Sequence, residues 1–266
     1  MKAQYLIYAL LLAVSTVQAQ SVKEQSTDSW EKWGPRDINN SGWIIRAGYV
    51  IGGTTPLPLP KEIRGINKFK PLGGVTVGAD YYHMFGKRLG IQFGAHLFFE
   101  GFHTSANVKN YRMAITQGNS YLDGYFTGTD VTNTKMVGVT LPVTCTVRVS
   151  PRWNISAGPF FSFVGKGTFD GEVYDNPDGV GYLREGNPTG PKIEISHKNP
   201  ASYDFAGDMK HFYWGLEFLF EWKATQHLNV FGGLDWGLSS IFPSDFETIS
   251  FKMYPIYAKI GLGYRL

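Results

Sequence analysis

The chain has 266 residues, a formal net charge of +3, 18% charged and 15% aromatic residues, and 32 glycines. That length suits one large all-β domain or two small ones. No basic run interleaves with aromatics, which excludes a nucleic-acid footprint. Cys145 is the only cysteine, so an intramolecular disulfide is excluded as well.

Residues 1–19, MKAQYLIYALLLAVSTVQA, combine Lys2, an apolar stretch from Tyr5 to Val14, and Val17-Gln18-Ala19. This is the pattern of a secretory signal peptide cleaved near Ala19, so the mature chain is expected to be exported. Residues 20–41 are polar and are expected to form a loosely ordered periplasmic lead-in. After them no run of 18 apolar residues occurs, so any passage through a membrane must use strands.

From residue 42 onward, segments of period two follow one another near 42–52, 72–85, 88–102, 135–149, 153–167, 210–223, 227–241 and 251–266. LGIQFGAHLFFEGF (89–102) is representative. Leu89, Ile91, Phe93, Ala95, Leu97 and Phe99 alternate with Gly90, Gln92, Gly94, His96, Phe98 and Glu100. Successive side chains of a strand point to opposite faces, so each segment has one apolar face, and none of these apolar faces carries a charge. Cys145 lies on such a face between Val143 and Val147, where it acts as a small hydrophobe.

Short links (86–87, 150–152, 224–226) alternate with long ones near 53–71, 103–134, 168–209 and 242–250. Outer-membrane barrels show this asymmetry, with short periplasmic turns and long extracellular loops. The ten residue steps from Leu89 to Phe99 span roughly 33 Å. Tilted by about 40–45°, they match the height of an outer-membrane apolar belt. Trp43, Trp153, Trp222 and Tyr264 fall near the short-link ends of their strands and predict an aromatic girdle. The expected fold is therefore a closed, antiparallel, eight-stranded up-and-down transmembrane β-barrel over 42–266, with extracellular loops near 53–71, 103–134 and 168–209.

The other face predicts a lumenal polar network of Arg46, Asp80, Gln92, His96, Glu100, Glu217, Asp235 and Lys259. Arg148, Lys166, Glu221 and Arg265 are expected on the same inward face, because buried charges must pair or cost several kcal/mol each. Glu217, Asp235 and Lys259 fall at mid-depth on consecutive strands. With Arg46 they are expected to form one salt-bridge cluster. Pro142, Pro159 and Pro255 each remove a ladder donor, and local bulges are expected there. DNPDG (175–179) lacks the ligand count of a calcium loop and is read as a turn. No cofactor or metal is implied.

VGVTLPVTCTVRVSPRWNISAGPFFSFVGKG (137–167) resembles the PorT-like small outer-membrane β-barrel family of Bacteroidota. The shared features are the Leu141-Pro142 step running into a short turn and Gly158-Pro159-Phe160-Phe161 on the next strand. The closing KIGLGYRL is also similar, though it ends in Leu266 where a terminal aromatic is common. The resemblance implies a bacterial outer-membrane barrel without a catalytic residue set.

The leading expectation is a filled barrel that anchors long loops in the outer membrane. Its partners would be outer-membrane lipid and another envelope or extracellular protein. Two readings compete with it. One is a narrow pore for small solutes. The other is a lipid A-modifying hydrolase or acyltransferase, built around His96 and Glu100 with Ser156 or Ser162 nearby.

Overall fold

A computed structural model describes residues 40–246, 248 and 251–266. The expected signal peptide (1–19) and the lead-in up to residue 39 lie outside the described residues. Among the described residues the fold is all-β, with twelve strands. The long ones are β1 (Ser41–Pro56), β3 (Gly74–Met84), β4 (Leu89–Gln117), β5 (Ser120–Arg148), β6 (Trp153–Tyr174), β10 (Phe212–Lys223), β11 (Leu228–Gly237) and β12 (Met253–Arg265). The others are β2 (Ile63–Pro71), β7 (Tyr182–Glu185), β8 (Lys192–Glu194) and β9 (Ala201–Asp204).

Every pairing between these strands is antiparallel. β1 pairs with β3, β3 with β4, β4 with β5 and β5 with β6. The series continues from β6 to β10, β11 and β12, and β12 pairs with β1. Three tight turns join neighbours at one end. At two of them a hydroxyl replaces a strand partner: Ser150 Oγ accepts from the amides of Arg152 and Trp153, and Thr225 Oγ1 from those of His227 and Leu228. β1 starts and β12 finishes at this same end, where the Leu266 amide donates to the Trp43 carbonyl.

The expectation of eight strands is exceeded, and the reason lies in the long links. Residues 103–134, expected as a loop, continue the β4–β5 hairpin to a two-residue turn at Gly118-Asn119, with Gln117 opposite Ser120. Gly118 has φ +60, the backbone region that such a turn favours in glycine. β2, within the expected loop 53–71, pairs with β4 above the point where β3 begins. Within 168–209, β7 pairs with the extended part of β5 and β8 with β7, while β9 pairs with the extended parts of β4 and β6.

Two local expectations are also corrected. No register shift occurs at Pro142, Pro159 or Pro255. The ladders skip positions beside Pro142 and Pro159 and resume in the same register, so the missing donors are absorbed without an extra residue. A shift does occur between Val137 and Gly138, whose partners are Lys166 and Val164. The extra residue, Gly165, turns the following side chain over, and Lys166 is exposed on the outer face instead of facing inward.

Candidate functional site

Near the short-turn end, the strands carry their apolar side chains outward. Trp43, Ile45, Leu97, Phe99, Phe163, Trp214, Phe220, Ile260 and Leu262 are all exposed. The opposite face is buried and polar, with Arg46, Asp80, Gln92, His96, Glu217, Glu221, Asn229, Lys259 and Arg265 all sequestered. Burying so many ions against one another is tolerable only where each meets a partner.

The partners form two tiers. In the tier nearer the short turns, Arg46 from β1 lies 2.5 Å from Asp80 on β3 and 2.5 Å from Glu221 on β10. His96 Nε2 lies 3.0 Å from the same Asp80 oxygen, and Gln92 Oε1 accepts from Arg46 at 3.5 Å. Glu221 also accepts from Arg265 at 3.3 Å and from Asn154 at 3.2 Å. In the second tier, Lys259 on β12 pairs with Glu217 on β10 and, at 2.9 Å, with Asp235 on β11. Glu100 is half-buried on the inward face of β4, farther toward the long connections.

The expected four-membered cluster is therefore two clusters. Lys259 does bring Glu217 and Asp235 together, but Arg46 bonds elsewhere. Across the β1–β12 seam Lys259 lies opposite Val50, while Arg46 lies opposite Gly263. Those four residues are about 13 Å along a strand. Glu221, present on the predicted inward face but outside the predicted cluster, is the residue that joins Arg46 to Arg265. Its spacing of four from Glu217 on β10 places both on one face and was the available signal.

Glycines supply the room. A Cβ on Gly94 would fall 2.1 Å from Asp80 Oδ1, and one on Gly78 would fall 2.1 Å from His96 Cδ2. The serines weighed beside His96 are engaged elsewhere: Ser162 bonds Thr140 at 2.7 Å and Ser156 bonds Thr146 at 2.8 Å. Among the described residues His96 makes no hydrogen bond to either, and no group of three or more His, Cys, Asp or Glu is placed to hold a metal ion.

The interior changes character toward the long connections. There Phe98, Met113, Ile115, Phe126, Met136, Phe169 and Val173 join one hydrophobic core, closed over by Leu183, Ile195, Phe205 and Phe242. Asp130 is buried in this region, and its carboxyl is pushed up to about 7 by that burial. The Tyr203 hydroxyl donates to it at 2.9 Å and opposes the shift, and lies 2.8 Å from Thr132 Oγ1. Farther out, Asp175 is held below the usual carboxylate range by hydrogen bonds from His197. The neighbouring DNPDG segment is a turn in which Asn176 Oδ1 accepts from the amides of Asp178 and Val180.

Trp43, Trp153, Trp222 and Tyr264 lie on the outward face beside the short-turn end. Trp153 stands directly opposite Trp222, and Trp43 packs edge-on against Tyr81 with centroids 5.4 Å apart.

An antiparallel sheet with a polar interior, an apolar exterior and short turns at the end where β1 starts and β12 finishes defines an outer-membrane β-barrel. Comparison with known families agrees: the family described as outer membrane protein beta-barrel domain matches residues 18–243, and the chain belongs to it. No curated protein matches the chain. Among solved structures, it is similar to Ail, the attachment invasion locus protein of Yersinia pestis, with 10% identity over 85% of this chain and 99% of that one, at a TM-score of 0.33. It is likewise similar to OprG from Pseudomonas aeruginosa, with 14% identity over 86% of this chain and 98% of that one, at a TM-score of 0.33. The family places the protein in the bacterial outer membrane.

Proposed function

We propose that the protein is a filled, non-enzymatic anchor that holds a sheet-built extension outside the cell for contact with another envelope or extracellular protein. The membrane-crossing part in this reading is a closed barrel of eight strands: β1, β3, β4, β5, β6, β10, β11 and β12. Their continuous series of pairings supports that number. An eight-stranded barrel has an interior just wide enough for side chains to fill. Trp43, Trp153, Trp222 and Tyr264 serve as its periplasmic girdle, since amphipathic rings settle at the headgroup level. The signal peptide at 1–19 directs export. The Leu-Pro and Gly-Pro-Phe-Phe features of 137–167 favour the PorT-like branch of the family.

The observation that carries the filled-anchor reading is the sequence of layers inside. Two tiers of ion pairs are followed by an aromatic and aliphatic core, so an ion crossing the interior must pass both charges already paired and apolar packing. Planar-bilayer recording of the purified full chain tests it. No unitary conductance is expected, and stable single-channel steps would establish the narrow-pore reading instead. A lipid A-modifying activity would appear as altered lipid A masses in cells expressing the protein that are lost in His96→Ala. No such change is expected, because His96 is bonded to Asp80 inside the barrel. Crosslinking on intact cells through Tyr121, exposed beside the hairpin tip, is expected to capture the partner.

A further inference from the structure

The bulge at Gly165 has a consequence on the outer surface. It places Lys166 on the outer face where β6 and β10 leave the apolar band, just beyond the paired residues Phe163 and Phe212. Lys210 precedes that pair on the β10 side, and Lys135 lies on the neighbouring strand, two residues from Val137, the partner of Lys166. Among the described residues, Lys135, Lys166 and Lys210 form no ion pair, and the nearby carboxylates of Asp170 and Asp208 are not bonded to them.

Lys166 stands three residues beyond Phe163, the partner of Phe212, and below Lys210 is an open cleft of about 460 Å³, lined by Lys210, His211, Phe212, Trp214 and Ser239. Its floor is aromatic. Phe212 and Trp214 are each 42% exposed, and Phe212 packs against Phe163 with centroids 5.2 Å apart. Its rim is fixed to the sheet edge. The Lys210 amide donates to Ile241, and the His211 carbonyl accepts from Val164. His211 Nδ1 lies 3.1 Å from the Val164 carbonyl oxygen and donates to it, which holds the ring against the sheet edge. Ser239 Oγ accepts from the Trp214 amide at 2.9 Å.

We propose that this cleft binds a phosphate-bearing membrane lipid, with an acyl chain along Phe212 and Trp214 and the phosphate at Lys166 and Lys210. The proposal rests on the reading that the outward apolar band lies in the membrane. The floor is continuous with that band, which is where an acyl chain is stable, and the cations stand at its upper edge, the level of headgroups. Lysine binds phosphate as a flexible point charge and needs no rigid fork, which suits two lysines drawn from a strand and a loop. A soluble phosphate compound would gain the cations but nothing from the aromatic floor.

The test is native mass spectrometry of the full chain in detergent, offered equal amounts of phosphatidic acid and phosphatidylcholine. The expected result is one retained phosphatidic acid, with a preference that falls by roughly tenfold in the double variant Lys166→Gln, Lys210→Gln. The variant with arginine at both positions should keep the preference. Folding of each variant is checked by the heat-dependent shift of its gel mobility. An unchanged preference in the glutamine variant overturns the site, as does displacement of the lipid by inorganic phosphate alone. If the chain inserts into vesicles and shows no preference, the site fails and the membrane reading stands. If it does not insert, both fail.

Discussion

β4 passes through both halves of the molecule and changes its rule on the way. From Leu89 to Phe99 its large apolar side chains face out and Gln92 and His96 face in. From Phe102 to Ile115 the buried side chains are Phe102, Ala106, Val108, Tyr111, Met113, Ala114 and Ile115, while Lys109 and Asn110 are exposed. The inward parity of His96 and Phe98 carries through Phe102, Ala106 and Val108 and reverses only at the bulge between Val108 and Tyr111; what exchanges at the boundary is the solvent outside. Lipid rewards apolar side chains on the barrel wall and leaves the interior to paired ions, while water beyond the membrane restores the ordinary hydrophobic core. The strand itself needs no break at the boundary, because ladder bonds are indifferent to what the side chains meet.

The widest separation between the halves is expected from deleting one interior side chain in each. Arg46→Met leaves Asp80 and Glu221 buried without their shared cation, and is expected to cost about 3–5 kcal/mol. Phe126→Ala, at a fully buried position in the upper core, should cost about 3–5 kcal/mol for the opposite reason, lost apolar packing. Urea unfolding in vesicles measures both. If Arg46→Met is neutral, the lower interior does not depend on paired charge.

On the outer face the expected effect is somewhat smaller. Leu97→Arg puts a cation on the band and should cost about 2–4 kcal/mol in a bilayer. Tyr121→Arg, at an exposed position beside the hairpin tip, should stay within about 0.5 kcal/mol. Equal costs at the two positions would erase the distinction between a lipid-facing and a water-facing surface.

These contrasts also explain how far the residues could be read without coordinates. The eight amphipathic segments were legible because lipid-facing alternation is uninterrupted and uncharged, as in 89–99 and 212–222. The extension was not. Its exposed positions include Lys109, Asn110, Thr116, Asn119, Ser120 and Asp123, so 103–134 has the composition of a loop, and only the Gly118-Asn119 pair between Gln117 and Ser120 marks a hairpin. In the interior, period two identified the inward face but left the stagger between neighbouring strands open. That is why the residues alone place Arg46, Glu217, Asp235 and Lys259 on one face but not Arg46 in the tier nearer the short turns, with Asp80 and Glu221. Lys166 was misassigned because a bulge reverses parity and leaves no mark other than a glycine.

A narrower perturbation sharpens the lower half. Gly94→Ala would place a methyl group 2.1 Å from Asp80 Oδ1, so either the carboxylate or the β3–β4 ladder must give way. The expected cost is about 1–3 kcal/mol. Asp80→Asn combined with Gly94→Ala should not recover it, since the amide occupies the same volume. Recovery in that double variant would mean that charge and not space sets the need for glycine here.

The gentlest test lies in the upper half and turns on Asp130. Its carboxyl titrates near 3.8 in an unfolded chain and at about 7 in the fold, so between those values the folded state holds a proton that the unfolded state has lost. Stability of the extension is therefore greatest below the unfolded value, declines as pH rises through that window, and levels off above about 7. The slope is at most about 1.4 kcal/mol per pH unit. Hydrogen exchange of the β4–β5 hairpin in membrane-inserted protein, followed from pH 5 to 8 after correction for intrinsic exchange, should report the decline. Asp130→Asn keeps an acceptor for Tyr203 and cannot ionise, so its protection should be flat over the same range. The barrel amides serve as an internal control, because unfolding confined to the hairpin leaves their ladder intact. A slope that persists in Asp130→Asn would assign the pH dependence to another group and separate the upper core's stability from the protonation of this carboxyl.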